Sequence, residues 1–376
     1  MRKVFKHIRI LIPVLLLILI ILVIPQLNSS ELMNPTQTGK AFGFLWGMLG
    51  YVLVMLVVST LSRKIQTIKI TSIDLLLGVL SLMVLVTYWF HPGDQLQILT
   101  FLALVIFYLS IRALNLNHIK YILLALIISG SIQAIYGNLQ LWGYYPSNHG
   151  IFKLTGSFFN PGPYSGFLAS IFPISLGFYL FNVRFSLPKQ NPLYLKLNDY
   201  SDILISYFNK ISSKFHFFYN THREQSSPEK QDKEPISTDY ITMKTLALIS
   251  IISMCLVLPA SRSRAAWLAV LVSSAYLLAV KFNVFQRIKP YFKTFARKLT
   301  AFALLIAFLT IAGAALYQFK KGSADGRWLI WKVSADMIKD KPILGHGFDG
   351  FIANYMDYQS AYFNDNPEKQ RSNGCR

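Results

Sequence analysis

Leu258-Pro259-Ala260-Ser261-Arg262-Ser263-Arg264-Ala265-Ala266-Trp267 sets two arginines between two apolar runs, Met243 to Leu258 and Ala265 to Val280. Each run is long enough to cross a bilayer. A guanidinium at mid-membrane costs about 2.5–3.5 kcal/mol on insertion scales. These side chains therefore lie at a water interface or meet an anion. The stretch reads as a short cationic turn between two spans, and its neighbours decide which side it faces.

Composition agrees with a membrane protein. Of the 376 residues, 53% are hydrophobic and only 14% charged, against about a quarter charged in soluble domains. Mean hydropathy is +0.41. The formal charge of +20 would point to nucleic acid in a soluble protein. Here a basic cytoplasmic face against anionic lipid accounts for it, and no nucleic-acid partner is expected. Two cysteines, Cys255 in an apolar run and Cys375 next to last, give no disulfide framework.

Spans need about 20 largely apolar residues, and nine stretches qualify: Ile8–Ile24, Ala41–Leu61, Ile73–Phe90, Leu96–Leu114, Tyr121–Trp142, Tyr164–Val183, Met243–Pro259, Ala265–Val280 and Leu299–Tyr317. The first follows a basic start, Met1 to Arg9, without a small-x-small cleavage site, and is read as uncleaved. The fold class expected is all-α, a polytopic membrane helix bundle with an outer amphipathic tail. Residues 1–183 hold spans one to six, 184–242 a cytoplasmic polar insert, 243–317 spans seven to nine and 318–376 an outer segment. With the amino terminus inside, the inner loops carry 24 Lys and Arg. The outer loops before the last span carry only Lys40, Lys153, Arg262 and Arg264. Positive charge is retained on the cytoplasmic side, so this orientation is the expected one. It leaves the arginine turn outside, against the trend: the pair either snorkels to headgroup phosphates or binds a specific anion.

The insert carries Leu204, Phe208, Ile211, Phe215 and Phe218 at helical spacing, the pattern of a helix on the membrane surface. Gln225 to Thr238 reads as a charged linker. The outer loop Gly143 to Pro163 contains Gly156, Pro161, Gly162 and Pro163, which specify a tightly turned, re-entrant-like backbone. Irregular backbone at membrane depth lines a wet cavity or is buried in protein. Asn160 and Lys153 are therefore candidates to face a substrate, with an ordinary turn and helix cap as the alternative; His149 reads as a loop histidine. In the tail, Trp328, Trp331, Ala335 and Ile338 form an apolar stripe expected to rest on the membrane or the bundle. Arg327 is expected in that helix's first turn, where the dipole disfavours a cation unless an anion binds.

Three outward motifs occur in order: Gly156-Ser-Phe-Phe-Asn160-Pro161, Ser263-Arg264-Ala-Ala-Trp267, and Arg327-Trp-Leu-Ile-Trp331 followed by Asp340-Lys-Pro342-Ile-Leu-Gly345-His346-Gly347-Phe-Asp-Gly-Phe351. Together they resemble the O-antigen ligase / O-antigen polymerase family, over roughly Tyr121 to Phe363. The resemblance implies a glycosyltransferase in the bacterial inner membrane, acting on the periplasmic face. Its donor would be a glycan on undecaprenyl pyrophosphate, and its acceptor a hydroxyl of lipid A-core or of another glycan or protein. Arg264 and Arg327 match family arginines that would hold the leaving pyrophosphate; guanidinium forks suit phosphate oxygens and stay charged. Arg262 and Gly156 join Lys153 and Asn160 as substrate-binding candidates. The family's outer-loop histidine base is expected beyond Arg376, so the chain reads as carboxy-terminally incomplete. His346 is the tail's only histidine and the candidate base, although its place within Gly-x-Gly differs from the family's.

No cofactor is expected. The outer acids Glu31, Asp94, Asp325, Asp336 and Asp340 are scattered, which argues for a metal-free reaction. The alternatives are a flippase or transporter, an O-antigen polymerase, or a protein O-oligosaccharyltransferase. Transporters tend to show repeats and mid-membrane charges; Asp74 and Arg112 lie near span ends and no repeat is visible.

Overall fold

The computed structural model describes residues 2–28, 32, 35–60, 70–91, 93–181, 238–292 and 321–366 except 344, 348 and 349, with scattered residues between 294 and 311. The surface helix of the insert, its linker and most of the expected span Leu299–Tyr317 lie outside the described residues. Apolar runs without backbone partners in lipid must close their hydrogen bonds internally. They do so as helices: α1 (Arg2–Val23), α2 (Pro35–Thr60), α3 (Ser72–Phe90), α4 (Gln95–Arg112), α5 (Leu116–Leu141), α6 (Pro161–Leu180), α7 (Thr238–Val257) and α8 (Arg264–Lys281). A short α9 (Val284–Ile288) follows, then α10 (Lys321–Asp340) and α11 (Gly350–Asp365). No strand occurs among the described residues. The protein is an all-α, multi-pass membrane helix bundle. Seven described helices, α2 to α8, are long and apolar enough to cross a bilayer, and Leu11–Gln26 is a shorter apolar helix.

The chain divides into two compact units. The first comprises Met1–Ile20, Ser30–Leu116 and Asn283–Arg376. In it α4 packs against α2 and α3, and α10 against α11. Association in lipid draws on packing and polar bonds rather than the hydrophobic effect, and α3 illustrates this, with none of its residues buried. It meets α4 through a polar clamp. Asp74 is held bidentately by Arg112, at 3.0 and 3.2 Å, and accepts from Tyr108 at 2.7 Å. Asp74 also closes a capping box with Thr71.

The second unit, Ile21–Ser29 and Asn117–Phe282, is built around α6. Asn160 caps this helix and Pro161 opens it, a favoured N1 residue because its missing N–H is not needed there. Tyr164, Leu168, Ile171 and Phe172 of α6 share one core with Met254 and Val257 of α7, Leu258, Ala134 of α5 and Ala266 of α8. Small residues let α5 come close: a Cβ on Gly130 would sit 2.8 Å from Ile171, and one on Gly137 would overlap the Tyr164 phenol. Polar bonds cross between helices, Ser175 to Ser250 at 3.0 Å and Asn138 Nδ2 to the Ser253 carbonyl at 3.0 Å.

Candidate functional site

The arginine turn begins where Pro259 ends α7. Pro259–Ser261 makes one 3-10 turn, and Arg262 follows in the left-handed region at φ 51°. The turn is internally tied. Ser261, buried, donates to the Leu258 carbonyl at 2.6 Å and accepts from the Ser263 amide; the Trp267 indole donates to the same carbonyl at 2.8 Å. Arg264 is the first residue of α8, after Ser263 as N-cap. Ser263 makes no side-chain capping bond, and no acid occupies the first turn. A helix amino terminus carries positive potential and attracts anions, and here Arg264 adds a guanidinium to it. Arg262 is exposed and Arg264 half-buried. Two residues on, Ala266 anchors the helix start in the core beside Tyr164 and Leu168.

The loop between α5 and α6 is fixed by amides of α5. Gln140 Oε1 accepts from the amides of Thr155 and Gly156, at 3.1 and 2.8 Å, and its Nε2 donates to the Gly156 and Pro146 carbonyls. Gln133, with no exposed surface, accepts from the Ser157 amide and donates to Ser157 Oγ, to the Pro25 carbonyl and to Gln26. Asn148 donates to the carbonyls of Gly156 and Phe158 and accepts from Asn28. Leu154 to Ser157 are buried as a result. The segments that the charge count assigns to the outer side, around Pro25 to Asn28 and Gly143 to Asn160, thus meet one another within this unit.

Within this loop the candidates separate. Gly156 is buried, its amide and carbonyl are both engaged, and its φ of 56° with a Cβ that would overlap Tyr164 makes it a backbone requirement. Asn160 Oδ1 accepts from the Gly162 amide at 3.1 Å, the helix cap. Lys153 is exposed. Gln133, Gln140 and Asn148 were missed. The signal for Gln133 and Gln140 was available, since amides seven residues apart in an apolar span face protein rather than lipid; Asn148, in the loop, carried none.

In the first unit the tail differs from expectation in one respect. Helix α10 is already formed at Lys321, six residues before Arg327, so Arg327 lies in the second turn and the first-turn dipole argument does not apply to it. Gly322 and Gly326 lie within this helix. That argument applies instead to Arg264. The buried face of α10 is Val333 and Met337, while Trp328, Trp331 and Ile338 of the apolar stripe are 57%, 65% and 63% exposed. The Lys332 ammonium lies over Trp328, 5.4 Å from the ring centre. Arg327 is exposed.

After α10, Gly345 and Gly347 at φ 65° and 95° reverse the chain, with Gly347 packed so closely on His91 that a Cβ would sit 2.8 Å from it. His346, between them, places Nε2 3.1 Å from the Met337 carbonyl and 3.4 Å from the Tyr358 hydroxyl, with the Tyr358 ring edge-on. Tyr358 in turn donates to Asp340, whose carboxylate holds the phenol above the usual tyrosine range. Among the described residues no group of three or more His, Cys, Asp or Glu could hold a metal ion.

These features define a class, a multi-pass helical membrane protein with cationic elements between and after its spans. Residues 249–372, about a third of the chain, match the family model described as O-Antigen ligase. The matched region includes Arg264, Arg327 and His346, and it supports the O-antigen ligase and polymerase family, whose members are glycosyltransferase-like enzymes. No curated protein and no solved structure matches the chain.

Proposed function

We propose that the protein is an inverting glycosyltransferase that moves a glycan from undecaprenyl pyrophosphate to an acceptor hydroxyl on the periplasmic face of the bacterial inner membrane. The observation that carries this reading is Arg264 at the uncapped start of α8, beside Arg262, inside the region that matches the O-antigen ligase model. A diphosphate leaving group gathers negative charge as its bond to the anomeric carbon breaks. A guanidinium fork at a helix amino terminus offers donors and positive potential fixed in advance, which stabilises that charge more in the transition state than in the ground state. Arg327 has the same role in this reading, and the arginines rather than a metal ion balance the charge. His346 is carried as a candidate for the acceptor's base within this chain, and Lys153 and Asn160 as contacts to the donor. The amino terminus is cytoplasmic, the order that keeps 24 basic residues inside.

Transfer of a labelled glycan from its lipid carrier to lipid A-core, in membranes holding the chain, tests the reading. Arg264→Ala and Arg327→Ala should each lower transfer about 100-fold or more, as loss of one charge-stabilising donor commonly does, with normal membrane insertion. Transfer at the wild-type rate in both variants overturns it. Carrier movement across the bilayer without bond cleavage would favour a flippase.

A further inference from the structure

Helix α10 carries apolar residues on two opposite sides. Residues two apart on a helix point nearly away from each other. Val333 lies two positions from both Trp331 and Ala335, and Met337 two from Ala335, so the buried pair looks away from the exposed stripe of Trp328, Trp331, Ala335 and Ile338. The margins of that stripe are cationic. Arg327 lies one turn before Trp331, Lys332 one turn after Trp328 and Lys339 one turn after Ala335, so basic residues border it on both sides. The helix's acids, Asp325, Asp336 and Asp340, fall beyond Lys332, toward the buried face; Asp336 pairs there with Lys339 at 2.7 Å. The Lys332 ammonium lies over Trp328 at 5.4 Å, and Trp331 stands edge-on to Trp328 at 6.4 Å, so two indoles and a cation form one patch.

This pattern favours a lipid interface over water or a dry protein contact. Tryptophan concentrates at the headgroup level, where its ring is in an apolar layer and its N–H reaches water. Basic side chains beside it extend to phosphates and are drawn to anionic lipid. A dry protein partner would strip water from the same cations, and interface cores are depleted of charge for that reason. Chain position agrees. Three residues separate Tyr317, where the last span expected from hydropathy ends, from Lys321 at the start of α10.

We propose that α10 lies in the plane of the membrane interface, with Trp328, Trp331 and Ile338 in the upper acyl region and Arg327, Lys332 and Lys339 against the phosphates of anionic phospholipid. Docked this way, the helix sets Arg327 at the depth of lipid phosphates, where a carrier diphosphate also stands. That consequence rests on the transferase reading above; the docking itself does not.

The test uses the full chain in vesicles of equal parts phosphatidylcholine and phosphatidylglycerol. The emission of Trp328 and Trp331 is read as the difference between the wild type and a Trp328→Phe/Trp331→Phe variant, which keeps the stripe apolar. Phosphatidylcholine brominated in the upper acyl chain should quench that difference signal about two-fold or more, and acrylamide in the water should quench it little. Lys332→Glu should reduce the lipid quenching about two-fold in these vesicles and leave it unchanged in phosphatidylcholine alone, because only anionic lipid attracts the charge it reverses. The milder Lys332→Gln should move it the same way by less. Strong acrylamide quenching with none from lipid would place the stripe in water and overturn the proposal. Shielding from both quenchers would overturn it too, with another part of the chain or a second copy as the cover. Lipid quenching that ignores both lysine variants in the mixed vesicles would overturn the role given to anionic phospholipid. None of these readings requires turnover, so the transferase reading can fail while the docking stands, and the reverse.

Discussion

Gly156 and Gly137 are the positions where one methyl group does the most harm. Gly156 sits at φ 56° with the Tyr164 ring where a Cβ would go, and Gly137 lies against the Tyr164 hydroxyl. Left-handed strain and overpacking each cost about 1–3 kcal/mol, so Gly156→Ala should destabilise the unit by about 2–4 kcal/mol. Thermal unfolding in detergent will show a clear fall in Tm, and an unchanged Tm would mean that the loop has room to move. Gly137→Ala should behave similarly, and Tyr164→Phe in the same chain should restore part of the loss by removing the crowding oxygen. Sequence reading reached Gly156 through the turn residues around it. It did not reach Tyr164, because nothing local to Tyr164 reveals that its ring closes over a residue eight positions earlier. The arginines are different. A charge in an apolar run is visible without coordinates, since its cost is a property of the residue and its neighbours alone.

At the scale of the helix, the seven spans between Ala41 and Val280 follow from hydropathy and lie close to their expected bounds, whereas the described apolar helix at the first expected span, Leu11–Gln26, is shorter and most of Leu299–Tyr317 lies outside the described residues. Helix α10 starts earlier than the expected first-turn place of Arg327 implies, running from Lys321 through Gly322 and Gly326, each of which weakens a helix by about 1 kcal/mol against alanine. That is small beside the continuity of a helix whose Val333 and Met337 face is buried. The α3–α4 hairpin makes a separate prediction. Helix α3 buries nothing, and its named tie to α4 is Asp74 with Arg112 and Tyr108. Arg112→Gln should leave Asp74 short of its bidentate partner and lower Tm, and Asp74→Asn in the same chain should recover part of the drop. A single variant as stable as the wild type would show that packing alone holds the hairpin.

Within each unit, contacts bring together segments that the charge count assigns to one side. Basic residues alone place the segments Pro25 to Asn28 and Gly143 to Asn160 on one side, and in the second unit these bond directly through Gln133, Asn28 and Asn148. In the first unit, His91 and Gly347, on segments also assigned to that side, touch. The carrier's diphosphate is the feature that joins this topology to a function. The most direct measurement is equilibrium binding of undecaprenyl pyrophosphate to the purified chain, which requires no turnover. Arg264→Ala and Arg327→Ala should each weaken binding about 10-fold or more, since charge-assisted hydrogen bonds are worth about 1.5–3 kcal/mol. Binding at wild-type strength in both variants would contradict it.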